Sequence, residues 1–172
     1  MKGQLPQARA TGQFPTNDTD LHVCLISEEA GLDLRTSELA PAPPKPVPAY
    51  PDAKALFHVG AYYGSVLASV GTFTLEDMDS DQGSQSSGRS WRIRGMATAT
   101  EFRRLGFASA VLDHGLREIR QRGGLLVWCN GRTTASSFYR YHKFEQMGGE
   151  RQLPDLQPHF RFRRVIEQSR HP

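Results

Sequence analysis

A short polar turn ending at Gly106 joins an apolar strand to an amphipathic helix, and this joint constrains the fold more than any other stretch. Past the turn, Ala108, Val111, Leu112, Gly115, Leu116 and Ile119 recur at helical spacing and form one apolar stripe. Asp113 and Arg117 stand four apart on the polar side and are expected to pair. Arg120 and Arg122 put positive charge near the negative end of the helix, and Gly123-Gly124 stops it. At the other end, the first backbone N–H groups have no helical partner and carry partial positive charge, which makes an anion site. Gly106 allows close approach because it has no Cβ, and Ala108 is nearly as small. With Arg103 and Arg104 beside it, the turn reads as a cradle for a pyrophosphate or a similar anion.

The rest of the chain fits one compact domain over residues 21–166, with a lead of 1–20 and a tail of 167–172. No apolar run approaches the roughly 20 residues that span a bilayer, and Met1–Pro6 lacks the apolar segment of a secretory signal. The expectation is a cytoplasmic protein with no membrane partner. Cys24 and Cys129 both fall in apolar runs and read as buried free thiols rather than a disulfide. No Cys/His spacing suits zinc, so no metal is expected. The formal net charge is +3, and its densest stretch is His159–Arg164. Alternating basic and aromatic residues there describe a strand with one apolar and one wet face, and nucleic acid is not an expected partner.

Strands are expected at Leu21–Ser27, Ala55–Tyr63 and Ser65–Thr74, the last two as a hairpin about Gly64. A short helix over Glu28–Leu39 is weakened by Gly31. The prolines of Ala40–Pro48 force an extended path. Glu76–Ser90 is acidic, then rich in Ser, Gln and Gly, and reads as a loop. In the strand from Trp91, Trp91 and Ile93 alternate, but the next large apolar residue is Met96. That one-residue slip at Gly95 predicts a β-bulge. Leu125–Cys129 is a buried strand, Asn130–Thr134 a turn with Thr133 or Thr134 as helix cap, and Ala135, Phe138, Tyr139 and His142 one face of a short helix. Glu145–Arg151 and His159–Ile166 close the chain as strands.

Arg103-Arg104-Leu105-Gly106-Phe107-Ala108 resembles the Arg/Gln-x-x-Gly-x-Gly/Ala signature of the GNAT acetyltransferase superfamily. The later Ala135, Phe138, Tyr139 and Phe144 resemble that family's Phe-Tyr motif in its proper order, and the wording of the chain is similar to bacterial members of unassigned substrate. The resemblance implies an α/β fold with a mixed, mostly antiparallel sheet of six to seven strands and helices on both faces. It implies an N-acetyltransferase that uses acetyl-coenzyme A and moves its acetyl group to a primary amine of a small molecule or peptide. The alternative is a non-catalytic acyl-coenzyme A-binding or partner-binding module of the same fold, and a homodimer is compatible with either.

Carried over by position, the family places Met96, Ala97 and Thr98 against the pantetheine arm. It places Arg103, Arg104, Leu105, Gly106, Phe107, Ala108 and Ser109 around the pyrophosphate, and Asn130 on the arm beyond the fifth strand. Tyr139 takes the position of the acid that protonates the leaving thiolate. A general base is not evident: His58, Glu101, His159 and a water relay are the candidates. The family's usual glycines are replaced by Arg104 in the cradle and by Lys143 before Phe144. If position 143 needs a positive φ, lysine adopts it at about 1 kcal/mol.

Overall fold

A computed structural model describes residues 21–39, 54–78, 88–152 and 157–168. The lead of 1–20, the proline-rich run 40–48 and residues 79–87 of the acidic connection lie outside them. Seven strands form one sheet: β1 (Leu21–Ile26), β2 (Leu56–Tyr63), β3 (Val66–Leu75), β4 (Ser90–Thr98), β5 (Leu126–Arg132), β6 (Glu145–Arg151) and β7 (His159–Val165). Their spatial order is β1-β2-β3-β4-β5-β7-β6. Neighbours run antiparallel except β4 and β5, which are parallel. A parallel pair needs a long crossover, and the helix foreseen after Gly106 supplies it. The β2–β3 hairpin turns at Gly64-Ser65, where Gly64 has φ +56° and Tyr63 pairs with Val66.

Helix α1 (Glu28–Leu39) lies on one face of the sheet, and α2 (Phe107–Gln121) on the other. Strand alternation gives the α2 face Phe57, Val59, Phe73, Trp91, Ile93 and Val127, which join Val111, Leu112, Leu116 and Ile119 in the core. Gly115 is on that stripe because a Cβ there would lie 2.1 Å from the Phe73 ring. The helix therefore seats closer to the sheet than any larger residue permits. Gly31, the weak point foreseen in α1, is buried but less tightly held: a Cβ there would meet Ile26 and Val70 at 3.4 Å, an ordinary packing distance.

The bulge is where the spacing placed it. Val70 pairs with Ala97 and Thr72 with Arg94, so the single residue Gly71 faces both Gly95 and Met96. Gly95 takes φ +56°. Beyond it β4 follows β3, whereas β5 stays with β7 as far as Arg132↔His159. The β4–β5 ladder ends at Arg92↔Trp128. A wedge-shaped gap thus opens between the end of β4 and the end of β5.

Three local expectations change. Asn130–Arg132 is strand rather than turn, because β7 supplies a partner to each residue. Neither Thr133 nor Thr134 caps the next helix; a 3₁₀ turn (Thr133–Ala135) leads into α3 (Ser136–Tyr141) without a side-chain cap. Asp113 meets His142, not Arg117.

Both α2 and α3 end in the same way. After α2, Gly123 N–H donates to Arg120 O and Gly124 N–H to Ile119 O; after α3, Lys143 donates to Arg140 O and Phe144 to Tyr139 O. This double bond requires a left-handed residue just past the helix. Gly123 fills that role at φ +73°, and Lys143 fills it at +61°. Replacing Lys143 with glycine relieves about 1–2 kcal/mol of strain and costs about 0.4–1 kcal/mol in unfolded-chain entropy. Lys143→Gly should therefore raise stability by roughly 0.5–1 kcal/mol in a urea melt, and a loss of stability would contradict the strain argument.

Candidate active site

The cradle is held by buried rings on each side of an exposed loop. Phe102 and Phe107 are both 6% exposed, stand 5.3 Å apart edge to face, and each meets the Tyr63 ring. The four residues between them, Arg103–Gly106, are all exposed. Burying the two rings fixes the loop's ends without filling its outer surface. Gly106 has φ +90°, and a Cβ there would enter open space. The first helical bond of α2 runs from Ala110 N–H to Gly106 O, so the N–H groups of Phe107, Ala108 and Ser109 precede the ladder. Arg104 sits at φ +63°, so both positions where this chain replaces a family glycine are left-handed.

The two arginines differ in placement. Arg103 is tied down: its guanidinium pairs with the Glu38 carboxylate of α1, and its Nε donates to Thr98 O at 3.3 Å. It clamps the end of α1 to the cradle. The exposed Arg104 has no side-chain hydrogen bond or ion pair among the described residues.

Met96, Ala97 and Thr98 line the β4 side of the gap, past the last β4–β5 pair. Asn130 stands on the β5 side, and its Oδ1 is buried without a hydrogen-bond partner. A buried carbonyl oxygen left unpaired costs about 1–3 kcal/mol, and no described residue supplies this atom with a donor. Tyr139 is not at the rim of its helix. It is 6% exposed, stacked on Phe162 at 4.9 Å, and pressed against Gly131, where a Cβ would lie 2.4 Å from the ring. Its hydroxyl hydrogen-bonds the Cys129 thiol. Burial pushes the phenol well above its ordinary pKa and the Cys129 thiol up to about 12, so both keep their protons at neutral pH.

Of the base candidates, none lies on β4 or β5, the strands that border the gap. His58 lies on β2, two strands from β4, where it accepts from Thr72 at 2.9 Å beside the buried Arg35. Burial and then the Arg35 charge lower its pKa. His159 is buried opposite Arg132, its Nδ1 on Gln157 O. Glu101 is exposed on the 3₁₀ turn (Thr100–Phe102) before the cradle.

Sequence reasoning missed two features. One is not Ser109 itself but its partner: Ser109 Oγ lies 2.9 Å from His142 Nε2, with Asp113 on the far side of the ring. The other is Glu76, at the end of β3, whose carboxylate joins Arg92 at 2.7 Å and Arg94 at 2.6 Å. Arg92 lies over the Trp128 ring at 4.5 Å, and Trp128 Nε1 donates to Glu76 O at 2.9 Å. This network ties β3, β4 and β5 together just before the ladder ends. No spacing rule joins residue 76 to residue 128; only the sheet does.

Residues 28–144 match the model of the acetyltransferase (GNAT) family, and the chain belongs to that family. It is 26% identical over 118 residues to the uncharacterized N-acetyltransferase YitI of Bacillus subtilis, covering 69% of this chain and 76% of YitI. Its fold is similar to the ribosomal-protein-S18-alanine N-acetyltransferase of Escherichia coli, with a TM-score of 0.64 at 12% identity over 87% of this chain and 96% of the other. An aminoglycoside 6′-N-acetyltransferase complexed with coenzyme A superposes with a TM-score of 0.55 at 10% identity, covering 69% and 77%. Among the described residues no helix is long and apolar enough to cross a membrane.

Glu76 gives a pH test of the network at the gap's base. Burial alone would raise its pKa, but hydrogen bonds and charge from Arg94 and Arg92 outweigh this and hold it below the ordinary carboxylate range. A depressed carboxyl stabilises above its unfolded pKa of about 4.3, and the gain is lost as pH falls through the folded value. Partial exposure weakens the pair, so Glu76→Gln should cost about 1–2 kcal/mol at neutral pH. The gap between variant and wild type should close below about pH 4. A cost that stays constant with pH would show that charge is not its source.

Proposed function

We propose that this protein moves an acetyl group from acetyl-coenzyme A to a primary amine of a small molecule or peptide. The observation that carries the reading is the parting of β4 from β5 above the helix cradle, with the buried Asn130 Oδ1 on the β5 side left without a hydrogen-bond partner among the described residues. An edge of β4 without a strand partner offers backbone N–H and C=O groups to a ligand with amides of its own, as the pantetheine arm has. The free first-turn N–H groups and the open space at Gly106 suit a pyrophosphate. The residues present fit coenzyme A, and the family supports the same assignment.

In this reading Met96, Ala97 and Thr98 hold the pantetheine, Asn130 accepts from one of its amides, and residues 103–109 hold the pyrophosphate. Arg104 and the backbone do most of that work, since Arg103 is engaged by Glu38. Acetyl-coenzyme A, when bound, supplies the activated thioester. The Ala97 N–H belongs to the ladder with β3, so the unpaired edge of β4 offers its N–H donor at Met96, where negative charge develops on the carbonyl oxygen. An alkyl ammonium has a pKa of about 10.4, so the acceptor must lose a proton before it attacks. With His58 and His159 held elsewhere, we assign that proton to water. Tyr139 keeps its proton at neutral pH and delivers it to the leaving sulfur; the Cys129 thiol fixes where the hydroxyl sits.

Release of free thiol from acetyl-coenzyme A with a panel of amines tests the activity. Coenzyme A binding without thiol release from any amine would favour the binding-module reading instead. Tyr139→Phe should lower kcat by about 10²-fold while KM for acetyl-coenzyme A holds. Losing the bond to Cys129 should cost about 1 kcal/mol of stability. Wild-type turnover in the folded variant would remove Tyr139 from the acid role.

A further inference from the structure

Ser109 is the third residue of α2, in the turn whose N–H groups precede the helical ladder. Its hydroxyl is one end of a chain of three side chains. His142, just past the last residue of α3 and 6% exposed, puts Nε2 2.9 Å from Ser109 Oγ. Its Nδ1 lies 3.4 Å from Asp113 Oδ1, one helical turn along α2 from Ser109. Asp113 is 54% exposed, so the chain runs from solvent, through a buried imidazole, to the cradle. From β7, Arg164 donates to the His142 carbonyl at 2.8 Å. Phe138 and Tyr141 of α3 pack against the ring at 4.8 and 5.1 Å. The charged groups facing the imidazole are therefore Asp113 and Arg164.

We propose that Asp113 and His142 set the direction of the Ser109 hydroxyl, so that one proton on His142 turns it toward the cradle and ties coenzyme A binding to proton uptake. The inference rests on reading the cradle as a pyrophosphate site. A carboxylate only accepts hydrogen bonds, so the neutral imidazole keeps its proton on Nδ1, the nitrogen that faces Asp113 at 3.4 Å. Nε2 is then an acceptor, and the Ser109 O–H points to it. In that state the hydroxyl turns its lone pairs outward and offers a phosphate oxygen nothing. When the ring gains a second proton, Nε2–H donates to Ser109 Oγ, and the hydroxyl hydrogen swings free to donate to an anion.

Burial lowers the pKa of His142, Asp113 raises it and Arg164 lowers it, and the balance lies below the ordinary histidine value. The free protein therefore holds His142 neutral at neutral pH, and the proton arrives with the anion. A bound anion raises the pKa, so affinity is highest below the free-state pKa and is lost as pH rises from there through the bound-state pKa. Ser, His and Asp in this order also build nucleophiles in hydrolases. Here the hydroxyl faces the turn that takes the pyrophosphate, at the opposite end of coenzyme A from the thioester, so no acyl carbon comes within its reach.

Dephospho-coenzyme A is the probe, because its pyrophosphate keeps its charge over the histidine range, whereas the 3′-phosphate of coenzyme A titrates near pH 6. Calorimetric titration at about pH 6.5, in two buffers of different ionisation heat, gives the protons taken up per site. Wild type should take up about half a proton, and its Kd should weaken about tenfold between about pH 6 and 8. Ser109→Ala removes one oxygen and should bind with little uptake and a flat pH profile; His142→Gln should do the same. NMR titration should show the His142 pKa rising on binding in wild type by about one unit more than in Ser109→Ala. Equal uptake and equal pH slopes in wild type and Ser109→Ala would overturn the relay, since the field of the anion alone would then account for the proton. Dephospho-coenzyme A that fails to bind wild type at any pH would overturn the cradle reading, and the relay with it.

Discussion

A left-handed glycine in the fourth strand is what the rest of the site depends on. Gly95 takes φ +56° and puts two residues of β4 opposite the single Gly71 of β3. A bulged strand twists and bends more sharply than a regular one. β4 therefore leaves β5 after Arg92, while β5 keeps its pairing with β7 to Arg132. Gly71 is part of the same device, because a Cβ there would lie 2.6 Å from Met96 Sδ and 2.9 Å from Val111. Any side chain at Gly71 would push Met96 or the helix away from the sheet.

The gap this creates is bounded by rigid pieces on each side. At its base the Glu76 carboxylate holds Arg92 and Arg94, and the Trp128 indole bonds back to the Glu76 carbonyl. At its mouth the Phe102 and Phe107 rings fix the loop that leads into α2, and Arg103 reaches Glu38 of α1. On the β5 side, Tyr139 and Phe162 pack against Gly131. Preorganisation of this kind leaves an edge of β4 without a strand partner and, on β5, one buried side-chain oxygen without a hydrogen-bond partner among the described residues.

Much of this was legible in the chain because the relevant signals are local. The stripe from Ala108 to Ile119 gave α2, and the slip from Ile93 to Met96 gave the bulge. A replaced glycine marked Lys143 as a strained position, and it is left-handed; Arg104, also in a family glycine's place, proves left-handed as well. What could not be read depends on partners far along the chain. Asn130–Arg132 looks like a turn until β7 pairs with it. Asp113 has a helical neighbour of opposite charge in Arg117, yet it turns to His142, which α3 delivers to its side. Glu38, Glu76 and the Tyr139–Cys129 contact follow only from which elements the sheet sets side by side. The family signature pointed to the region of the candidate site but not to these supports.

The central claim is that the parted edge of β4 and the first turn of α2 together receive coenzyme A. Amide hydrogen exchange, followed residue by residue by NMR with and without coenzyme A, addresses it directly, because the account assigns backbone N–H groups of these two segments to the ligand. Exchange should slow by at least about tenfold at one or more of Met96, Ala97 and Thr98 and at Phe107–Ser109, while the edge strands β1 and β6 keep their rates. Slowing confined to other parts of the sheet, with both of these segments unchanged, would contradict the account.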